Sequence, residues 1–134
     1  KVGVSTFLHQ DNFYFNGDPD TIVSCALYFQ NTNKENGCLR VIPGSHEIGI
    51  LPHDSISHIE GIQWIDETKL NPNWILDLEL NAPYAVFFNI NMIHGCYPNT
   101  SNGTRFSLAW EYIESSNNNV ASSVDNWCDR NPVG

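Results

Sequence analysis

The sequence predicts an all-β domain, an antiparallel sandwich or barrel. Three observations predict it: six or seven short runs have the length of strands, their connections are rich in Gly, Pro, Asn and Asp, and no stretch sustains a helical period. The 134 residues suffice for one domain with one core and not for two. Residues 1–134 are therefore read as a single domain, with an irregular Ser/Asn-rich tail from 115 to 134.

Taken in order, residues 2–11 read as the first strand, with β-branched residues at its start. Asn16-Gly17-Asp18-Pro19-Asp20 is a turn. Residues 21–29 form a mostly apolar run of buried-strand length, and the polar 31–37 connection ends in Asn-Gly. Residues 38–42 are a short strand stopped by Pro43-Gly44. Residues 49–62 lack a period and read as an irregular excursion with one helical turn, and 66–73 as a second, polar one. From Trp74 to Leu80 the residues alternate, with Trp74, Leu76, Leu78 and Leu80 on one face. Residues 84–90 are an apolar strand, and His94 follows at the mouth of a loop. The last clear strand is 104–113, with Arg105, Ser107, Ala109 and Glu111 on one face and Phe106, Leu108, Trp110 and Tyr112 on the other. Trp74, Trp110 and Phe106 are expected in the core.

Composition narrows the function. A formal net charge of −9 with only six Lys and Arg disfavours a phosphate-neutralising surface or a polybasic membrane patch. No run approaches the roughly 18 apolar residues of a membrane helix, and no leader-like segment is visible. Cys25, Cys38, Cys96 and Cys128 contain no CxxC pair and are read as reduced thiols, not as a zinc site. The expectations are a cytoplasmic protein, a small-molecule substrate, and neither nucleic acid nor membrane as partner.

Within the first strand, His9 and Asp11 stand two apart and are expected on one face. Alone, such a pair is an ordinary edge-strand feature. His94 supplies a third candidate ligand. Two histidines and a carboxylate are the donor set of a facial triad, which leaves positions on an iron open for oxygen and a cosubstrate.

Three separated segments carry a resemblance: His9-Gln10-Asp11 with the aromatics that follow, Glu35-Asn36-Gly37-Cys38-Leu39-Arg40-Val41-Ile42-Pro43-Gly44-Ser45-His46, and His94-Gly95 through Pro98-Asn99 to Arg105. Together they resemble the phytanoyl-CoA dioxygenase family of Fe(II)/2-oxoglutarate oxygenases. The resemblance implies a double-stranded β-helix (a jelly roll, cupin-like barrel) and implies that His9, Asp11 and His94 hold iron(II). It also implies that Arg105, eleven residues beyond His94, grips the far carboxylate of 2-oxoglutarate. Arginine suits bidentate carboxylate binding, and Ser107 on the same face is expected to add a hydroxyl. The implied reaction consumes O2 and 2-oxoglutarate, releases succinate and carbon dioxide, and hydroxylates a C–H bond. A carboxylate at Asp11 favours hydroxylation over the halogenation found where a small residue stands there.

The chain departs from the family pattern at Pro83-Tyr84, where Gly-Asp is usual, at Cys96, where serine is common, and at Cys25-Ala26, where an aromatic is frequent. The family's usual N-terminal segment is not represented, so the expectation is an oxygenase core. Two rival readings remain: a cupin-type metal enzyme that does not use 2-oxoglutarate, and a non-catalytic binding module on the same barrel. His46 is expected to be structural or near the substrate, His53 and His58 solvated, Cys96 a small pocket residue, and a core carboxylate is the alternative partner for Arg105.

Overall fold

The computed structural model describes residues 5–55 and 63–115. Its strands are Thr6–His9 (β1), Ile22–Tyr28 (β2), Leu39–Val41 (β3), Asp54–Ser55 (β4), Gln63–Trp64 (β5), Leu76–Asp77 (β6), Tyr84–Asn89 (β7), His94–Cys96 (β8) and Ser107–Ile113 (β9). One α-helix of four residues, Asn12–Phe15 (α1), and four 3₁₀ turns make up the helix among the described residues. Among the described residues the regular structure is mostly strand with very little helix, as the sequence predicts.

Two antiparallel sheets carry the structure, in the orders β1-β8-β3-β6 and β7-β2-β9, with β4-β5 as a separate pair. Successive long strands switch sheets: β1 to β2, β2 to β3, β6 to β7, β7 to β8 and β8 to β9 each cross from one sheet to the other. This winding is that of the jelly roll. Between the sheets Ala26 and Tyr28 pack with Leu39 and Val41, flanked by Val86, Phe88 and Met92. Leu8, Ile42, Ile65 and Ile93 form a second apolar cluster with Leu51, Leu70 and Ile75 from the excursions. Those excursions therefore cover one face of the β1-β8-β3 sheet.

Several sequence expectations shift. The alternating run from Trp74 to Leu80 is strand only at Leu76–Asp77. Its start is taken by a 3₁₀ turn at Pro72–Trp74, which the Asn71 side chain caps by accepting the Asn73 N–H at 3.0 Å. Trp74 is consequently 59% exposed and is not a core residue. Phe106, at 64%, is also exposed. It precedes β9, whose outward row, with Val23 and Phe87 on the neighbouring strands, leaves the outer face of the three-stranded sheet apolar and exposed at Val23, Phe87, Leu108 and Tyr112. Trp110 lies on that same face, partly buried. His94 is not in a loop but opens β8. The expected start of the first strand at Val2, the histidine His58, and the tail with Trp127 and Cys128 lie outside the described residues. Among the described residues no helix is long and apolar enough to cross a membrane.

Candidate metal centre and its cavity

A cavity of about 290 Å³ opens between the two sheets, and His9, Asp11, His94, Arg105, Ser107 and Glu111 are among its lining residues. β1 and β8 bring the histidines together. Thr6 pairs with Cys96 and His9 with His94, so the two residues between them on β1 oppose the single Gly95 on β8, and the register shifts there. That bulge turns both Thr6 and His9 toward the cavity although they are three apart in sequence.

Asp11 arrives by a different route from the one strand alternation suggests. β1 ends at His9, and Asp11 is helical, with φ −57° and ψ −35°, at the start of α1. Its carbonyl accepts the Tyr14 N–H at 2.9 Å, while its side chain makes no capping bond and is free to face the site. The carboxylate thus meets the histidine through a turn and not through a shared strand face. Gln10, fully buried between them, fixes that turn. Its amide donates to the carbonyls of Gly49 and Asn91 at 2.8 and 2.7 Å, and its oxygen accepts the Leu51 N–H at 2.8 Å.

The donor geometry is convergent. Asp11 Oδ1 lies 3.3 Å from His9 Nε2 and 3.6 Å from His94 Nε2. One ligand atom from each of the three residues falls within 4.8 Å of the other two. The opposite ring nitrogens are occupied: His9 Nδ1 lies 2.8 Å from the Phe7 carbonyl oxygen and His94 Nδ1 3.0 Å from that of Met92. A carbonyl can only accept, so each Nδ1 carries a proton, which leaves each Nε2 facing the cavity to present a lone pair to a metal once it is deprotonated. Ser24 donates its hydroxyl to Asp11 Oδ2 at 2.8 Å, which leaves Oδ1 for the centre.

Electrostatics follows this packing. Burial works against charge on His9, but the hydrogen bond and charge of Asp11 outweigh it and hold the His9 pKa above its ordinary value. Burial also opposes ionisation of Asp11, and the neighbouring histidines and Ser24 nonetheless hold its pKa below the usual carboxylate value. His94, more deeply buried, is pushed down by desolvation. Glu111 is pushed up, first by burial and then by the Asp11 charge.

Arg105 lines the same cavity from the chain just before β9. It donates to the Asn36 carbonyl at 3.2 Å and to Ser107 Oγ at 2.8 Å, and its guanidinium sits 5.5 Å from the Tyr28 ring centroid. Burial pushes the Tyr28 phenol up to about 12, so that ring is neutral. Among the described residues Arg105 forms no ion pair, whereas Lys34, Arg40 and Lys69 all do. No core carboxylate among the described residues pairs with Arg105.

Other expectations resolve individually. Cys96 lines the cavity with its thiol 3.3 Å from Thr6 Oγ1. His46 pairs loosely with Glu47 at 3.9 Å and is not a lining residue. His53 is not simply solvated: its ring stacks on Phe13 at 4.3 Å and its Nε2 accepts the Gln10 backbone N–H at 3.0 Å. Tyr84 stacks on Tyr28 and hydrogen-bonds Thr32, outside the lining set. Sequence reasoning missed Ser24 and Gln10. No pattern marks Ser24 within an apolar strand, and Gln10 was legible only as the spacer between two ligands.

The chain is similar to known proteins in both sequence and fold. The family model described as phytanoyl-CoA dioxygenase matches residues 1–107. A phytanoyl-CoA dioxygenase domain-containing protein 1 homolog from Dictyostelium discoideum is 30% identical over 132 residues, 95% of this chain and 47% of that protein. The peroxisomal phytanoyl-CoA dioxygenase of Homo sapiens is 30% identical over 113 residues, 78% of this chain and 32% of its own length. The chain thus spans about half, or less, of these relatives. Among solved structures, the apo form of the non-heme monooxygenase ThoJ superposes with a TM-score of 0.70 at 27% identity, covering 89% of this chain and 44% of that one. EvdO2 from Micromonospora carbonacea var. aurantiaca, complexed with 2-oxoglutarate, superposes with a TM-score of 0.68 at 26% identity over 89% of this chain and 49% of that one.

Proposed function

The chain belongs to the phytanoyl-CoA dioxygenase family, and from that membership we propose that it is the jelly-roll core of an iron(II)- and 2-oxoglutarate-dependent oxygenase that hydroxylates a C–H bond of a small organic molecule. The observation that carries this reading is the aim of two imidazole Nε2 atoms at one oxygen of Asp11, with both Nδ1 atoms bonded to backbone carbonyls. That is a two-histidine, one-carboxylate donor set, and it fits iron(II). When bound, the metal and cosubstrate supply the oxidising chemistry, consuming dioxygen and releasing succinate and carbon dioxide.

The chain's own residues would bind, orient and neutralise. His9, Asp11 and His94 would hold the metal, and Ser24 would keep Asp11 monodentate by occupying Oδ2. Arg105, a cation with no ion-pair partner among the described residues, would grip the distal carboxylate of 2-oxoglutarate, and Ser107 would fix the guanidinium and share that carboxylate. The 2-oxoglutarate complex of EvdO2 supports this cosubstrate. The expected cytoplasmic setting belongs to the same proposal; the described cysteines Cys25, Cys38 and Cys96 are free thiols, as a reducing compartment requires.

The test is an anaerobic titration with iron(II) and 2-oxoglutarate, followed by the visible charge-transfer band of an iron–keto acid chelate. The band is expected in the wild type and is expected to vanish in His94→Ala and Arg105→Ala; Asp11→Ala is expected to abolish hydroxylation. Iron binding without the band overturns the 2-oxoglutarate assignment in favour of a cupin-type enzyme. A folded sample that binds no iron overturns the oxygenase reading and leaves a binding module.

A further inference from the structure

The inward row that leads into β9 runs Arg105, Ser107, Ala109, Glu111, and all four line the cavity. Register sets the Glu111 end beside the metal centre and the Arg105 end away from it. Ser107 is the Cα partner of Tyr28, beside Arg105, whereas Glu111 is the partner of Ser24, the residue hydrogen-bonded to Asp11. Six residues of extended chain separate Arg105 from Glu111, roughly 20 Å at the usual strand rise. The cosubstrate held by Arg105 would lie on one side of the metal, which leaves the Glu111 side for the molecule to be oxidised.

Glu111 is a partly buried carboxylate that, among the described residues, meets no hydrogen-bond donor beyond its own backbone and no cation. The chain has six Lys and Arg, and four are described. Lys34 pairs with Asp77, Arg40 with Glu67, and Lys69 with Asp54 and Asp66, while Arg105 is committed to the far end. None reaches Glu111. If the cavity is loaded as proposed, the divalent metal, the Asp11 carboxylate, the dianionic cosubstrate and the Arg105 cation cancel, and Glu111 leaves one negative charge uncompensated. A partly desolvated, unpaired carboxylate is unfavourable until a cation meets it.

We infer that Glu111 is the specificity-determining residue of this cavity and that the substrate is a small organic cation, an amine or ammonium compound, whose charge is held against the Glu111 carboxylate beside the metal centre. This assignment rests on the oxygenase reading for the phrase "substrate", but the cation preference itself is a property of the cavity. It also accords with a chain of net charge −9, which draws cations and repels anions.

The test uses an isosteric pair, choline and its uncharged analogue 3,3-dimethyl-1-butanol, with binding measured calorimetrically on the anaerobic protein loaded with iron(II) and 2-oxoglutarate. Choline is expected to bind about tenfold tighter or more, the equivalent of a single partly desolvated charge pair. In Glu111→Gln that preference is expected to vanish, with the charge-transfer band serving as the control that the variant is folded and loaded. Equal binding of the two probes by the wild type overturns the inference, as does a choline preference that survives in Glu111→Gln. If the wild type forms no band, the cosubstrate reading fails by itself, and the same two probes on the metal-free wild type and Glu111→Gln still decide whether Glu111 selects a cation.

Discussion

His9 and His94 are cross-strand partners, paired at the Cα level between β1 and β8, with their ring centroids 4.4 Å apart. A metal shared by the two rings would therefore tie together strands that lie 85 residues apart in the chain. Ligand binding to the folded form alone stabilises by about 2.7 kcal/mol at a hundredfold excess over Kd. Anaerobic iron(II) is expected to raise the melting temperature by several degrees in the wild type and not in His94→Ala. Scanning calorimetry with and without metal measures both.

The same pair sets a pH dependence with two opposite signs. The His9 pKa is held above its ordinary value of 6.5, so a metal must displace a proton from it at mildly acid pH. Metal affinity is expected to fall by about tenfold per pH unit once pH drops through that raised value, and more steeply below the ordinary value, where His94 also takes up a proton. The metal-free protein behaves otherwise. The contribution of the His9–Asp11 pair is present in full below pH 6.5 and is lost as pH rises through the raised His9 pKa; the part owed to Asp11 ionisation is lost only as pH falls through its depressed pKa. Iron(II) affinity and apo-protein denaturation, each measured across pH 4.5–8, are expected to trend in opposite directions above pH 6.5.

Ser24 tests whether the carboxylate needs orienting. It is buried, and its hydroxyl is the partner of Asp11 Oδ2 at 2.8 Å. Ser24→Ala removes the donor while leaving the three ligands in place. Partners of this kind are worth about 10–100-fold in metal affinity, whereas a loss of stability near 1 kcal/mol is what one hydrogen bond carries. A metal titration paired with urea denaturation separates the two; unchanged affinity with lowered stability would assign Ser24 a structural role only.

The fold was legible because strand alternation and turn residues are local signals. β2, β3, β7 and β9 fall inside the runs read from the sequence, and the Arg105–Glu111 row does point inward. The residues brought together at the site were legible through the family resemblance of three separated segments, but the strand alternation offered for His9 and Asp11 is not what the fold uses. A helical turn at Asp11 and a bulge in β1 are set by buried contacts at Gln10 and Gly95, which no periodicity records. Trp74 and Phe106 misled for a related reason: hydrophobicity predicts that a side chain can be buried, not that a neighbour is there to bury it.

Gly95 lies directly after His94, where β1 passes closest. A Cβ at that position would meet the Thr6 carbonyl oxygen at 2.6 Å and that of Phe7 at 2.9 Å, both backbone atoms that cannot rotate aside. Gly95→Ala is expected to cost about 3 kcal/mol through overpacking. It is also expected to weaken metal binding, because relief of the clash separates His9 from His94. Chemical denaturation gives the first quantity and a metal titration of the folded fraction gives the second.

Gln10 joins the two ligand-bearing segments to the excursion that follows β3. Its amide nitrogen faces two carbonyl oxygens, Gly49 at 2.8 Å and Asn91 at 2.7 Å, and its oxygen faces the Leu51 N–H. Gln10→Ala strands three backbone groups in a buried setting and is expected to cost about 3 kcal/mol or more. Gln10→Glu is the more discriminating change. It keeps the acceptor for Leu51 but sets an ionised oxygen against two carbonyls, so the new carboxyl group must have a folded pKa above the ordinary value. When protonated, that carboxyl can donate to one of the two carbonyls. An acid whose pKa is raised on folding loses stability as pH rises, beginning near its unfolded pKa. The deficit of Gln10→Glu relative to wild type is therefore expected to be largest at neutral pH and to shrink toward pH 4. Urea denaturation of both proteins at pH 4.5 and 7 measures it, and a deficit independent of pH would mean that the side chain at position 10 does not meet those carbonyls.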